Sequence, residues 1–173
     1  MSAVRDTDAN AIEMLQSQHE EVASLFDKIE DAPTLLRKQQ IFEALADALA
    51  VHVTIEERHF YPAVRAKRTE DILLASLEEH VGIKRGLTDL LGTPVGDQAF
   101  DAKLSVLREL VDRHLEEEEM DLFPKVEQLL DEETLVAIAR EMIVTQDALV
   151  RRGEPRWGVP GETVHAPDLV SFR

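Results

Sequence analysis

The sequence predicts an all-α protein: an up-down-up-down antiparallel four-helix bundle with a short fifth helix and an irregular C-terminal tail. Three observations predict it. Gly and Pro are rare before residue 151, so little punctuates the chain. Aliphatic residues recur among charged ones at spacings of three and four, the period of a helix with one buried face. The breaks between these stretches span only a few residues, and short connections between long helices make neighbours antiparallel.

Taken in order, the first helix covers about 9–31, opening near Asp8 and closing before Pro33. The second runs from about 34 to 67, with Thr34 as its N-cap. The third covers about 70–91 and ends at the turn "GTPVGD", Gly92 to Asp97. The fourth spans about 98–129 and the fifth about 132–151. The bundle thus occupies 1–151. The remaining residues, 152–173, hold several prolines and glycines and the single Trp, and read as an irregular tail pinned by Trp157 and Phe172.

Composition removes several function classes. The chain of 173 residues has no cysteine, which excludes disulfides, thiolate catalysis and Cys-based metal sites. Its 19 basic and 35 acidic residues give a net charge of −16, a surface that repels nucleic acid and anionic membranes. No signal peptide or membrane span is evident, so a cytoplasmic location is the default expectation.

Two stretches repeat each other, "HVTIEERHFYPAV" from His52 and "HLEEEEMDLFPKV" from His114. In each, a glutamate follows the histidine by four residues, an aromatic by nine, a proline by ten and a valine by twelve. His19 and His80 lie 61 residues apart, and His52 and His114 lie 62 apart. A helical hairpin used twice, about a pseudo-twofold axis, has this spacing.

The histidines fall where the core belongs. The first helix has the seam Ile12, Leu15, His19, Val22, Phe26, Ile29; the second has Ile41, Leu45, Ala48, His52, Ile55, His59. In the third, His80 shares a face with Leu73, Leu77, Ile83 and Leu87, and in the fourth His114 follows Leu107 and Val111. A lone histidine on an apolar face is usually a hydrogen-bonded core residue. Four of them, one per helix and all near one height, are better explained by a shared ligand.

Glu56 and Glu118 lie about 40° around the helix and about 6 Å along it from His52 and His114, so each pair projects into the same space. Glu119 stands about 140° from His114 and is expected to face solvent, with the rest of the acidic run Glu116–Glu119. Burying an ionised carboxylate without a cationic partner costs several kcal/mol, and few Lys or Arg occupy these seams. A metal supplies the missing charge. Four imidazoles and two carboxylates are too many for one tetrahedral zinc and too nitrogen-rich for calcium or magnesium. Two ions, each with two histidines and sharing Glu56 and Glu118, accommodate the set, and mixed N/O ligation suits iron or manganese.

The H…HxxxE…H…HxxxE pattern, over roughly residues 10–130, resembles the hemerythrin-like, HHE cation-binding domain family. The resemblance implies a four-helix bundle around a non-heme diiron centre, with manganese or zinc as substitutes. Its ligand set maps onto His19, His52, Glu56, His80, His114 and Glu118. Oxygen-carrying hemerythrins have a second histidine four residues from the one on the third helix, where this chain has Ser76 and Lys84. Their last helix also places an aspartate five residues after its histidine, where this chain has Glu118 at four. The pattern is closer to the bacterial branch linked to peroxide, nitric oxide or iron chemistry.

Two side chains are ambiguous. On an ideal helix Tyr61 points about 180° from His52, a packing position. Pro62 disfavours regular helix beside it, because its ring clashes with the Arg58 carbonyl; Tyr61 then swings towards the site as a metal ligand or hydrogen-bond donor. His59 lies two turns from His52 on the same face, as a structural residue or a support to the ligands. His165, in the tail, reads as incidental.

The leading functional expectation is a diiron protein that binds and reacts with small oxidants, most concretely by catalase-like turnover of hydrogen peroxide, with a proton from Tyr61 or His59. The alternative is a non-enzymatic sensor or store for oxygen, nitric oxide or iron.

Overall fold

A computed structural model describes residues 9–169. It is the expected all-α bundle. Helix α1 spans Ala11–Glu30, α2 Leu35–Ile55, α3 Tyr61–Ala63, α4 Glu70–Leu91, α5 Gln98–Glu117, α6 Phe123–Leu129 and α7 Glu132–Arg152. α1 packs chiefly on α2, and α4 on α5, the two hairpins of the repeat. α7 lies against α1 and α2 outside the bundle.

Local chemistry sets the boundaries. α1 opens at Asn10, not Asp8: the Asn10 side chain accepts from the Glu13 amide and the Glu13 carboxylate accepts from the Asn10 amide, closing a capping box. Thr34 caps α2 as expected, accepting from the Arg37 amide at 3.1 Å. α5 and α7 are capped by Asp97 and Asp131. Small residues bring α4 and α5 close: a Cβ at Gly82 or Gly86 would stand 3.1 Å from Leu110 or Leu107.

The second helix is not continuous to residue 67, as the sequence suggested. A π-helical turn, Glu56–Phe60, separates α2 from α3, and its twin, Glu118–Leu122, separates α5 from α6. The Tyr61 amide donates to the Glu56 carbonyl and the Phe123 amide to the Glu118 carbonyl, a step of five residues instead of four. Both turns precede a proline, Pro62 or Pro124. Proline has no N–H for the carbonyl one turn back and crowds it; a widened turn relieves both faults. The extra residue also turns everything beyond it by about 100° relative to a regular helix.

Two apolar layers fill the interior. One contains Leu15, Ile55, Phe60, Leu77, Phe123 and Val126. The other contains Val22, Phe26, Phe42, Leu49, Ile83, Leu87 and Val111. Between them, at mid-height, every histidine seam turns polar.

The chain leaves α7 at Gly153, whose φ of +84° favours glycine, and forms a 3₁₀ helix, Pro155–Glu162. This strap crosses α2 and α4. Trp157 does not pin it, being 58% exposed. Arg156 and Val159 are buried instead, and Arg156 donates to Asp47 from both its amide and its guanidinium. Phe172 lies outside the described residues.

Candidate metal centre

The four helices bring six side chains into the polar layer: His19 from α1, His52 from α2, His80 from α4, His114 from α5, and Glu56 and Glu118 from the starts of the two π turns. All six are buried, and His80, His114, Glu56 and Glu118 are at 0% exposure. Their donor atoms form two groups that share Glu56: His19, His52, Glu56 and Glu118, and then Glu56, His80 and His114. Within each group the donors lie within 4.8 Å of one another.

Every imidazole is oriented in the same sense, with Nε2 turned inward. His19 Nε2 is 3.2 Å from Glu118, His52 Nε2 3.3 Å and His80 Nε2 3.1 Å from Glu56. His114 Nε2 is 3.0 Å from His80 Nε2. Each Nδ1 points outward to a fixed acceptor: Glu119 for His19 at 2.7 Å, Gln18 for His52 at 2.9 Å, Glu57 for His80 at 3.0 Å and Glu79 for His114 at 2.8 Å. An acceptor at Nδ1 fixes a proton there and leaves Nε2 as the atom turned to the site, the usual arrangement behind a metal-bound histidine.

Tyr61 belongs to this layer. Its hydroxyl donates to Glu118 at 2.6 Å and lies 3.2 Å from Glu56 and 3.1 Å from His80 Nε2. The π turn puts it there: with one residue absorbed, Tyr61 stands about 80° from His52 instead of about 180°. Its ring stacks on His80 at 5.3 Å, as the equivalent Phe123 stacks on His19 at 5.7 Å. The two halves of the cage therefore match in shape but differ by one hydroxyl.

Electrostatics show a site built for positive charge. Burial and the other imidazoles push His52 down to about 3, against the pull of Glu56. Burial would lower His114 too, but Glu118, Glu56 and Glu79 outweigh it and raise the ring to about 10. Burial opposes ionisation of Glu56, yet His52, His114 and His80 hold its carboxyl well below the usual range. Burial, with Glu118 and Glu56, pushes the Tyr61 phenol well above its ordinary value. His19 Nε2, His52 Nε2, Glu56 Oε1 and Glu118 Oε2 are buried without any hydrogen-bond partner. Leaving one such atom unsatisfied costs about 1–3 kcal/mol. All four belong to one group and face one another, so a cation between them satisfies the set.

The comparisons agree with this geometry. The model of the hemerythrin HHE cation-binding domain matches residues 10–126. The chain belongs to that family. Uncharacterized proteins Mb2666c of Mycobacterium bovis and Rv2633c of Mycobacterium tuberculosis are each 27% identical to it over 116 residues, covering 66% of this chain and 71% of theirs. The crystal structure of a hemerythrin HHE domain-containing protein, the Rv2633c homolog from Mycobacterium kansasii, superposes with a TM-score of 0.73 at 24% identity, over 87% of this chain and 97% of that one. A DNA nickase of Nostoc sp. is 23% identical over 145 residues, and the match spans 41% of that longer protein.

The remaining residues of the hemerythrin-domain site meet their expectations in part. Glu119 does not simply face solvent: its side chain is 43% exposed, yet it holds His19. The turn widens at Glu118, so Glu119 stays on the flank facing α1. Lys84, absent from the expected neutralising groups, is buried, but it pairs with Glu57 and Glu162 and not with Glu56 or Glu118. Of the two readings of His59 the contact fits the structural one: its Nε2 meets Thr145 Oγ1 on α7 at 2.6 Å. His165 is exposed. The outer acceptors were overlooked, although the repeat signals them: Gln18–His19 matches Glu79–His80, and Glu56–Glu57 matches Glu118–Glu119.

Proposed function

We propose that the chain holds two iron ions in this cage and reacts with small oxidants, hydrogen peroxide foremost. His19, His52, Glu56 and Glu118 would surround one ion. Glu56, His80 and His114 would hold the other, with the Tyr61 oxygen beside them. The observation that carries this reading is the pair of buried donor groups that share Glu56, one of which holds four buried donor atoms with no partner but one another. Manganese or zinc suits the same donors; iron is favoured because mixed imidazole and carboxylate ligation supports redox change.

When bound, a pair of such ions supplies two electrons' worth of reversible redox change, which lets two molecules of hydrogen peroxide become two of water and one of oxygen. The chain's own groups do the rest. The apolar layers above and below keep bulk water out of the cage. The Tyr61 hydroxyl, 2.6 Å from Glu118 and 3.1 Å from His80 Nε2, is the proton donor inside the cage, whereas His59 is engaged with Thr145. No membrane-crossing helix exists among the described residues. The Nostoc likeness carries no nicking function to this chain in our reading, since a net charge of −16 opposes a phosphate backbone.

Oxygen-electrode traces after peroxide addition test the activity on the iron-loaded protein. Sustained oxygen release, reduced in Tyr61→Phe, is expected. A chain that holds two irons and releases no oxygen would sink the enzyme reading and leave the sensor or store for oxygen, nitric oxide or iron.

A further inference from the structure

The two halves of the cage are not supported equally. Lys84 lies on α4 one turn beyond His80 and is 1% exposed. Its Nζ donates to Glu57 at 2.8 Å and lies 3.0 Å from Glu162 at the end of the strap. Glu57, itself 6% exposed, accepts from His80 Nδ1 at 3.0 Å. A continuous polar chain thus runs from strap to cage: Glu162, Lys84, Glu57, His80.

The strap is firmly seated. Arg156 bonds Asp47 on α2, Val159 enters the apolar layer, and Arg85 on α4 donates to the Thr163 and Val164 carbonyls. The other half is tied to α7 through neutral groups, Gln18 behind His52 donating to Gln146 at 2.7 Å, with no lysine behind His19 among the described residues. Glu119, the counterpart of Glu57, holds His19 at 2.7 Å but is 43% exposed, and the residue matching Lys84, 61 positions earlier, is Ala23.

We propose that Lys84 is a positioning residue through which the seated strap fixes His80, so that the Glu56–His80–His114 half retains its ion more tightly than the half built on His19 and His52. The proposal rests on the two-ion reading of the cage. A carboxylate behind a ligating imidazole sets the ring's direction and basicity, and its loss typically costs about 10–100-fold in metal affinity. Glu57 is clamped from two sides in a buried site. Glu119 is held from one side and reaches solvent.

Competition with a chromophoric chelator, using zinc and the metal-free full chain, tests this independently of turnover. The wild type is expected to load in two resolved steps. Lys84→Met and Glu162→Ala should each weaken the tighter step by about tenfold or more and leave the other unchanged. Lys84→Arg should restore most of the loss, and Glu119→Gln should act on the weaker step instead. Unchanged steps in both Lys84→Met and Glu162→Ala overturn the proposal, as does equal weakening of both steps, which a general loss of packing would give. Should Lys84→Met fail to fold, Glu162→Ala decides alone, since that carboxylate is 47% exposed. A wild type that binds fewer than two zinc ions overturns the two-ion reading, and this proposal with it.

Discussion

The smallest unit of this site is a histidine with both nitrogens assigned. Glu119 shows what that assignment implies. Helical phase alone makes it a bystander, but its contact with His19 Nδ1 makes it a support. Glu118→Ala removes a donor of the cage and should abolish binding of at least one ion, while Glu119→Ala should weaken binding by about 10–100-fold. Chelator competition distinguishes the two; wild-type affinity in Glu119→Ala would return it to the solvated face. Protonation follows from the same contacts. With no metal, His114 keeps its proton up to about 10, against an ordinary value of 6.5, and a ligating imidazole must lose that proton. Metal uptake should therefore release protons, and affinity should rise with pH throughout the range below about 10. Calorimetry in buffers of different ionisation enthalpy measures the release, and a pH-independent affinity there contradicts it.

At the scale of the element, the informative feature is the π turn. The helices and their histidine seams were legible because a 3.6-residue period survives in every stretch up to Glu56 and Glu118. Beyond those residues the period breaks, and the phase argument, right that Glu119 is exposed, missed its contact with His19 and would have failed for Tyr61. Pro62 kept Tyr61 open as a candidate, and Pro124, in the same place in the second copy, carries the matching signal for Glu119. The strap was less legible, since its anchoring depends on Arg156 meeting Asp47 from 109 residues away, a contact no local pattern encodes. Helix caps lie far from the cage and should separate stability from binding. Asn10→Ala removes the capping box of α1 and should cost about 1 kcal/mol in urea denaturation while leaving metal stoichiometry unchanged. Loss of metal in that variant would mean that α1 is coupled to the cage more tightly than its end-to-end packing implies.

Across the whole molecule, two apolar layers enclose one polar layer, and an outer helix and strap close it from the side. This explains why a chain so rich in acid buries Glu56, Glu57 and Glu118: the interior charge is set by the cage and its support, not by the surface. Arg156 should matter to this closure. Arg156→Ala removes the guanidinium from Asp47, keeps only the amide contact and loosens the strap, so limited proteolysis after residue 152 should quicken severalfold with the helical content unchanged; an unchanged cleavage rate would place the anchor elsewhere. The central claim is that the polar layer is a home for two ions. Metal analysis joined to native mass spectrometry of the full chain, purified under iron-replete conditions, tests it most directly. Two irons per chain are expected, falling in Glu56→Ala, whose carboxylate is common to both groups. A chain carrying one iron or none would contradict the account.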